Sequence, residues 1–292
     1  MKNTIVPLLE QCGITDATRL QPYYPKVRDR DDVAALRCPE SEVIVLSRTD
    51  HMDLDHYREA DYVQGVEVDG EMRPPANVAE DARRRVARFG DLIRRKRWLD
   101  VGAGRAVLMD MLAAEADRAK GVEPNRQRRE SAIRRGYDMA ETVDDLHEDD
   151  QFDVITLFHV YEHVTQPVAM ARTLKRHLAP GGRLIVEVPH ARDLLLDTLD
   201  CEAFRRFTLW SEHLVLHTRE SLTQFLRAAG FSTVSIRGIQ RYPVANHLHW
   251  LRHGRPNGQN VWPFLNDRAL QEAYEQTLAA IDKTDTIVAY AE

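Results

Sequence analysis

Five consecutive residues, Asp100-Val101-Gly102-Ala103-Gly104, have the types and spacing of a nucleotide-binding turn. An acid closes an apolar strand, the glycines let the backbone bend sharply and approach a ligand, and the helix that follows begins with free N–H groups. The dinucleotide fingerprint needs a glycine where Val107 stands, and no phosphate-loop pattern occurs. Glu123 closes the next strand about twenty residues on, where a carboxylate can accept hydrogen bonds from both hydroxyls of a ribose. Asp100 would repel a pyrophosphate and suits a cationic amino group instead. A ligand built of adenosine and an amino-acid tail satisfies both carboxylates.

The elements that must position these residues alternate between strand and helix from Arg97 onward. Strands are expected at 97–101, 119–122, 137–140, 152–158 and 183–188, with helices at 106–114, 125–135 and around Val168, Ala171, Leu174 and Leu178. The turn Pro180-Gly181-Gly182 introduces the fifth strand. Thr218 caps a further helix that carries Leu222, Phe225, Leu226 and Ala229 and stops at Gly230. Strands at 231–239 and 285–290 follow, separated by an insertion, 240–284. The second half of the insertion reads as helix, with Leu270, Ala273, Tyr274, Thr277, Leu278 and Ile281 on one stripe. Such alternation predicts an α/β fold with a parallel sheet and right-handed crossovers.

Upstream, residues 1–75 read as an irregular N-terminal extension, with a helix candidate at 4–11, a strand-like Glu42-Val43-Ile44-Val45-Leu46, and a linker at Arg73-Pro74-Pro75. An amphipathic helix over 77–96 then opens the main domain, 76–292, with Val78, Ala82, Val86 and Phe89 on one face.

The chain has 292 residues and is 43% hydrophobic, enough for a substantial core. It has no apolar run that would span a bilayer and no secretory leader, so a cytoplasmic protein is expected. Three scattered cysteines, Cys12, Cys38 and Cys201, form neither a disulfide framework nor a metal knuckle. The net charge of −6 argues against nucleic acid as a partner. Oligomeric state is left open.

Four segments in order resemble the class I S-adenosylmethionine-dependent methyltransferases. Leu99-Asp100-Val101-Gly102-Ala103-Gly104-Arg105-Ala106 resembles their first motif, an acid followed by three alternating glycines, with Ala106 in place of the third. Gly121-Val122-Glu123-Pro124 resembles the end of their second strand. Phe152-Asp153-Val154-Ile155 and the turn Glu162-His163-Val164 resemble the subgroup that includes ubiquinone-pathway methyltransferases, and Leu178-Ala179-Pro180-Gly181-Gly182 resembles the entry to their fifth strand. The resemblance implies a doubly wound, Rossmann-like sheet of seven strands, mostly parallel with the last antiparallel, and S-adenosyl-L-methionine as cofactor. It further implies that Gly102, Ala103 and Gly104 lie against the methionine, that Glu123 with Pro124 holds the ribose, that Thr142 borders the adenine, and that Phe158 and His159 pass close to the sulfonium. Tyr57 and Tyr62 are candidates to cover the cofactor.

Methyl transfer to a hydroxyl needs a proton acceptor, and histidine is the usual one. His190, directly after the fifth strand, and His213, beside Glu212 in Trp210-Ser211-Glu212-His213, are the candidates; His163 suits a structural role equally well. From Ser221 to Asn266 there is no acid, while Arg227, Arg237, Arg241, Arg252 and Arg255 accumulate. Trp250, Arg252 and Arg255 suggest that residues 240–284 lid an anionic acceptor. The alternative is pairing of these arginines with the acids of residues 50–61. Segments around Trp210, Leu248-His249-Trp250-Leu251 and Thr284-Asp285-Thr286 also resemble methyltransferases of bacterial polysaccharide and nucleotide-sugar pathways. Some of those carry a zinc ribbon, of which only Arg37-Cys38-Pro39 remains here, and His51, Asp53, Asp55 and His56 read as a solvated loop, so no metal is expected. The acceptor expected first is therefore a saccharide or sugar nucleotide, possibly phosphorylated. The alternatives are a quinone-like phenol, or cofactor binding without catalysis.

Overall fold

Seven strands hydrogen-bond into one sheet: β1 (Arg97–Val101), β2 (Arg118–Val122), β3 (Asp138–Ala140), β4 (Phe152–Phe158), β5 (Leu178–Pro189), β6 (Val234–Ile239) and β7 (Thr286–Ala291). Their order is β6-β7-β5-β4-β1-β2-β3, mostly parallel with one antiparallel pair, as the resemblance implied. The computed structural model describes residues 3–59, 66–68, 71–73 and 76–292; Pro74, Pro75 and Tyr62 lie outside them. The chain divides into two compact units, 52–160 with 169–186 and 291–292, and 1–51 with 161–168 and 187–290.

The first unit is built on β1. Trp98, Leu99, Asp100 and Val101 are all buried, the pattern of a parallel strand covered on both faces. Registers with β2 and β4 set Asp100 beside Gly121 on one side and Thr156 on the other. The amphipathic helix runs Ala76–Ile93 and buries Ala82, Phe89 and Ile93, ending three residues before the expected Lys96 because Arg95 turns to φ +56°. Asn125 caps the helix Arg126–Arg134, its side-chain oxygen accepting from the Arg128 N–H at 3.1 Å.

The second unit corrects the picture of an irregular extension. Gln21–Tyr24, Ala35–Arg37 and Ile44–Leu46 are strands, and with Val215–Leu216 they form a four-stranded antiparallel sheet. Ile44–Leu46 falls within the strand-like run expected at 42–46 and pairs with Val215–Leu216, far away in sequence; the other two strands were not expected, being too short to show periodicity alone. Residues 1–51 thus share a unit with 187–290 instead of standing apart from the rest of the chain. Thr218 caps Arg219–Ala228 as expected, accepting from the Ser221 N–H. The insertion contains the helices Val244–His253, Gly258–Val261 and Arg268–Ala280. Of its expected stripe, Leu278 is buried, whereas Leu270 and Ile281 are 38% and 55% exposed. No helix among the described residues is long and apolar enough to cross a membrane.

Candidate functional site

At the end of β1 the chain makes three left-handed steps, Gly102 at φ +73°, Gly104 at +57° and Ala106 at +57°. Only glycine reaches this region without penalty, so the backbone path itself favours the two glycines. The N–H groups of Gly102 and Ala103 both reach the Val122 carbonyl, at 2.8 and 3.0 Å, tying the turn to β2. Gly102 also packs so closely on Val160 that a Cβ there would lie 2.3 Å from Val160 Cγ2. Ala106 takes the third left-handed position with its methyl group fully buried.

Two buried carboxylates flank the turn. Asp100 accepts from Thr156 Oγ1 at 2.8 Å. Burial pushes its carboxyl up to about 6, opposed by the Thr156 hydroxyl and the Arg85 guanidinium and reinforced by the Glu123 charge. A cationic amino group beside it would favour the ionised form. Glu123 Oε2 accepts from the Gly104 N–H at 2.7 Å and Oε1 from the Asn125 N–H at 2.8 Å. Each oxygen keeps further acceptor capacity, which suits the two hydroxyls of a ribose. Burial raises the Glu123 carboxyl, against the pull of the Asn125 N–H, Arg128, the Gly104 N–H and Arg129. The carbonyl of Pro124 accepts from Arg129 at 2.7 Å, and Arg129 also pairs with Glu141. Together, a tight cradle, an acid for an amine and an acid for a ribose fit an adenosine carrying an amino-acid tail.

The remaining expected cofactor residues belong to this same unit. Thr142 gives its hydroxyl and its N–H to Asp145, at 2.7 and 2.9 Å, so its side chain is occupied in a local cap. Phe158 is buried against Phe89, ring centroids 5.0 Å apart, with the Arg85 guanidinium 4.8 Å above it. His159 follows at φ +56°, a conformation seldom taken by a residue with a side chain and one that concentrates at functional sites. Tyr57 lies on the helix Leu54–Glu59, whose Tyr57 carbonyl accepts from Asn125 Nδ2 at 3.2 Å and whose Arg58 pairs with Glu141. Sequence reading missed Arg85, Thr156, Asn125 and Val160. The one available signal was the arginine run 83–85 on a helix whose apolar face points inward.

The expected catalytic residues lie in the other unit and are dispersed. His190 is enclosed: its Nδ1 meets the Thr284 carbonyl at 3.1 Å, its Nε2 lies 3.8 Å from Asp282, and burial draws its pKa down to about 4. The expected Glu212–His213 partnership differs. Glu212 faces the Nδ1 of His163 at 3.8 Å, while His213 Nδ1 is hydrogen-bonded to the Thr208 carbonyl at 3.2 Å. Glu212 and His213 lie in a turn closed by the His213 N–H on the Trp210 carbonyl at 3.0 Å, and the two side chains take separate partners.

Trp250 is not a stacking face, being 3% exposed and packed between Phe204 and Phe207. Arg252 and Arg255 are exposed, and among the described residues neither takes part in an ion pair. The acids expected to neutralise them are engaged locally, Asp50 with Arg48 and Asp55 with Arg58, while Asp61 lies outside the described residues. Arg252 instead borders a cleft of about 590 Å³ walled by Leu248, Leu251, Trp262, Phe264 and Leu265.

Residues 75–236 match the profile of a family described as a methyltransferase domain. Among curated proteins, the chain is 27% identical over 166 residues to the ubiquinone biosynthesis O-methyltransferase of Paraburkholderia phytofirmans, covering 52% of this chain and 72% of that protein. It is 29% identical over 192 residues to the demethylmenaquinone methyltransferase of Clavibacter sepedonicus, covering 58% and 77%. Among solved structures, a SAM-dependent methyltransferase from Archaeoglobus fulgidus superposes with a TM-score of 0.51 at 15% identity, over 75% of this chain and 95% of that one. That likeness concerns the fold.

Proposed function

Because the chain belongs to the methyltransferase-domain family, as a class I S-adenosylmethionine-dependent enzyme, we propose that it methylates an oxygen of a small, largely apolar acceptor of the quinone-like phenol kind. The cofactor is S-adenosylmethionine, which supplies an electrophilic methyl group when bound. In this reading Asp100 receives its amino group, Glu123 its ribose hydroxyls, and the Gly102–Gly104 backbone its methionine portion.

The observation that carries the acceptor reading is the composition of the cleft in the insertion. Five apolar side chains and one arginine suit a flat ring bearing an acidic group. A saccharide would want several hydrogen-bonding side chains, and the cleft provides two, the Arg252 guanidinium and the Trp262 indole N–H. Relatives named as ubiquinone biosynthesis O-methyltransferases support the same class. A phenol also asks less of a base, since its proton leaves near pH 10, as that of tyrosine does. Arg252 and Arg255 favour the second reading, a phosphorylated sugar.

The test is a turnover screen with S-adenosylmethionine across hydroxylated benzoates and quinols, sugar nucleotides and amines, scoring methylated product by mass. Phenolic acceptors are expected to turn over at least tenfold faster than sugars, and Arg252→Ala should raise the acceptor KM while leaving cofactor affinity unchanged. Methylation confined to sugar nucleotides would overturn the acceptor class.

A further inference from the structure

Fifty residues apart in sequence, Glu162-His163 and Glu212-His213 meet within one compact unit. One donor atom each from Glu162, His163 and His213 lies within 4.8 Å of the others. His163 Nε2 is 3.6 Å from Glu162 Oε1, the separation two ligands have when they share an ion at about 2.0–2.2 Å each. The cluster is held from several sides. The Leu214 N–H donates to the Glu162 carbonyl at 2.9 Å, joining the turn Tyr161–His163 to the segment that carries His213. The Trp210 ring stands edge-on to both imidazoles, with centroids at 6.1 and 5.5 Å.

The orientation of the imidazoles adds a second, independent observation. His213 directs its Nδ1 to the Thr208 carbonyl at 3.2 Å, a hydrogen bond, whereas Glu212 lies 3.8 Å from His163 Nδ1, an ion-pair distance too long for one. A backbone carbonyl on Nδ1 is a usual outer partner of a metal-bound histidine, because it fixes the ring and turns Nε2 to the ion, as at His213. Glu162 is fully buried and Glu212 is 7% exposed, so the cluster sets two buried carboxylates against two partly buried imidazoles. A doubly charged cation balances that pair of acids.

We propose that this chain binds a divalent transition-metal ion through Glu162, His163 and His213. Two imidazole nitrogens and one carboxylate oxygen select zinc, cobalt or manganese over calcium or magnesium. Three protein ligands leave a coordination position for water or an acceptor oxygen. The absence of a metal expected from sequence rested on cysteine spacing and on the loop at 51–56, neither of which involves these residues. Binding of the ion stands or falls separately from the identity of the acceptor.

Chelator-treated full-length protein, titrated with Co²⁺ alone, should show one equivalent bound and a visible absorption band, which Zn²⁺ displaces. His163→Ala and His213→Ala should each weaken Co²⁺ binding at least tenfold. Exposed His253→Ala should leave it unchanged. Circular dichroism and melting of each variant separate loss of the site from loss of the fold, and His213→Gln gives a milder replacement should His213→Ala unfold. No stoichiometric binding by the wild type, or binding retained in folded His163 and His213 variants, overturns the site.

Discussion

Replacing Gly102 by alanine tests the core of the cofactor reading, and its cost divides into two parts that can be measured apart. At φ +73° a side chain is disfavoured by about 1–2 kcal/mol. The added Cβ would also sit 2.3 Å from Val160 Cγ2, well inside the ~3.5–4.0 Å of a comfortable carbon contact. Valine has no long chain to swing aside, so relief requires a backbone shift or an off-rotamer side chain, an overpacking cost of about 1–3 kcal/mol. The sum is about 2–5 kcal/mol. Because the Gly104 N–H and Glu123 are joined through this turn, a third of that falling on the bound state weakens cofactor binding about tenfold.

The assay is a double-mutant cycle of Gly102→Ala and Val160→Ala, with urea unfolding for stability and calorimetry for S-adenosylmethionine affinity. In the Val160→Ala background, Gly102→Ala should cost only the conformational part, about 1–2 kcal/mol. Equal costs in both backgrounds would refute the close contact. Wild-type cofactor affinity in Gly102→Ala would refute the assignment of the turn.

Three further outcomes follow from the same geometry. Glu123→Gln sets an amide N–H₂ against one of the two backbone N–H groups that the carboxylate accepts, so cofactor affinity should fall about 10–100-fold, by about 1–3 kcal/mol; calorimetry within threefold of wild type would count against the ribose role. Ala106→Val puts a β-branched side chain at φ +57° in a fully buried position and should cost at least about 2 kcal/mol, whereas Ala106→Gly, which exchanges strain for entropy and a lost methyl contact, should stay within about 1 kcal/mol. Asp193 is pushed up to about 8, first by burial and then by the Asp285 charge, while its Oδ1 accepts from the Leu195 and Leu196 N–H groups. Its folded pKa lies above the unfolded value, so its contribution is complete below pH 4 and is lost as pH rises through 8. Asp193→Asn mimics the protonated form, and its stability relative to wild type should therefore improve between pH 5 and 8, by at most about 1.4 kcal/mol per pH unit; a pH-independent difference in urea midpoints would contradict this.

The sheet was legible because its central strands are apolar runs that alternate with helices, one of them with its cap, Thr218, written in the sequence. Of the N-terminal sheet only the apolar run at 42–46 was legible, since strands as short as Gln21–Tyr24 and Ala35–Arg37 acquire meaning only through the ladder that joins them to Ile44–Leu46 and Val215–Leu216. The insertion misled in an instructive way. Its basic composition was visible, but Trp250 points inward against Phe204 and Phe207 while Leu248 and Leu251 point out, an assignment of helix faces that composition does not make.

The geometry of the turn proposed to hold the cofactor was legible in sequence alone, because what it requires is local: left-handed backbone at Gly102 and Gly104, an acid closing β1, and a second acid one strand on at Glu123. Those demands are met within some twenty-five residues of contiguous chain, where torsional preference and backbone hydrogen bonding act directly on residue type. Tertiary structure alone decided the partners of the histidines. It closed His190 into a buried cage, turned Glu212 from its neighbour His213 toward His163, and gathered the Glu162 cluster from segments fifty residues apart. Burial and pairing at that range depend on how whole elements pack, and single residues carry no mark of it.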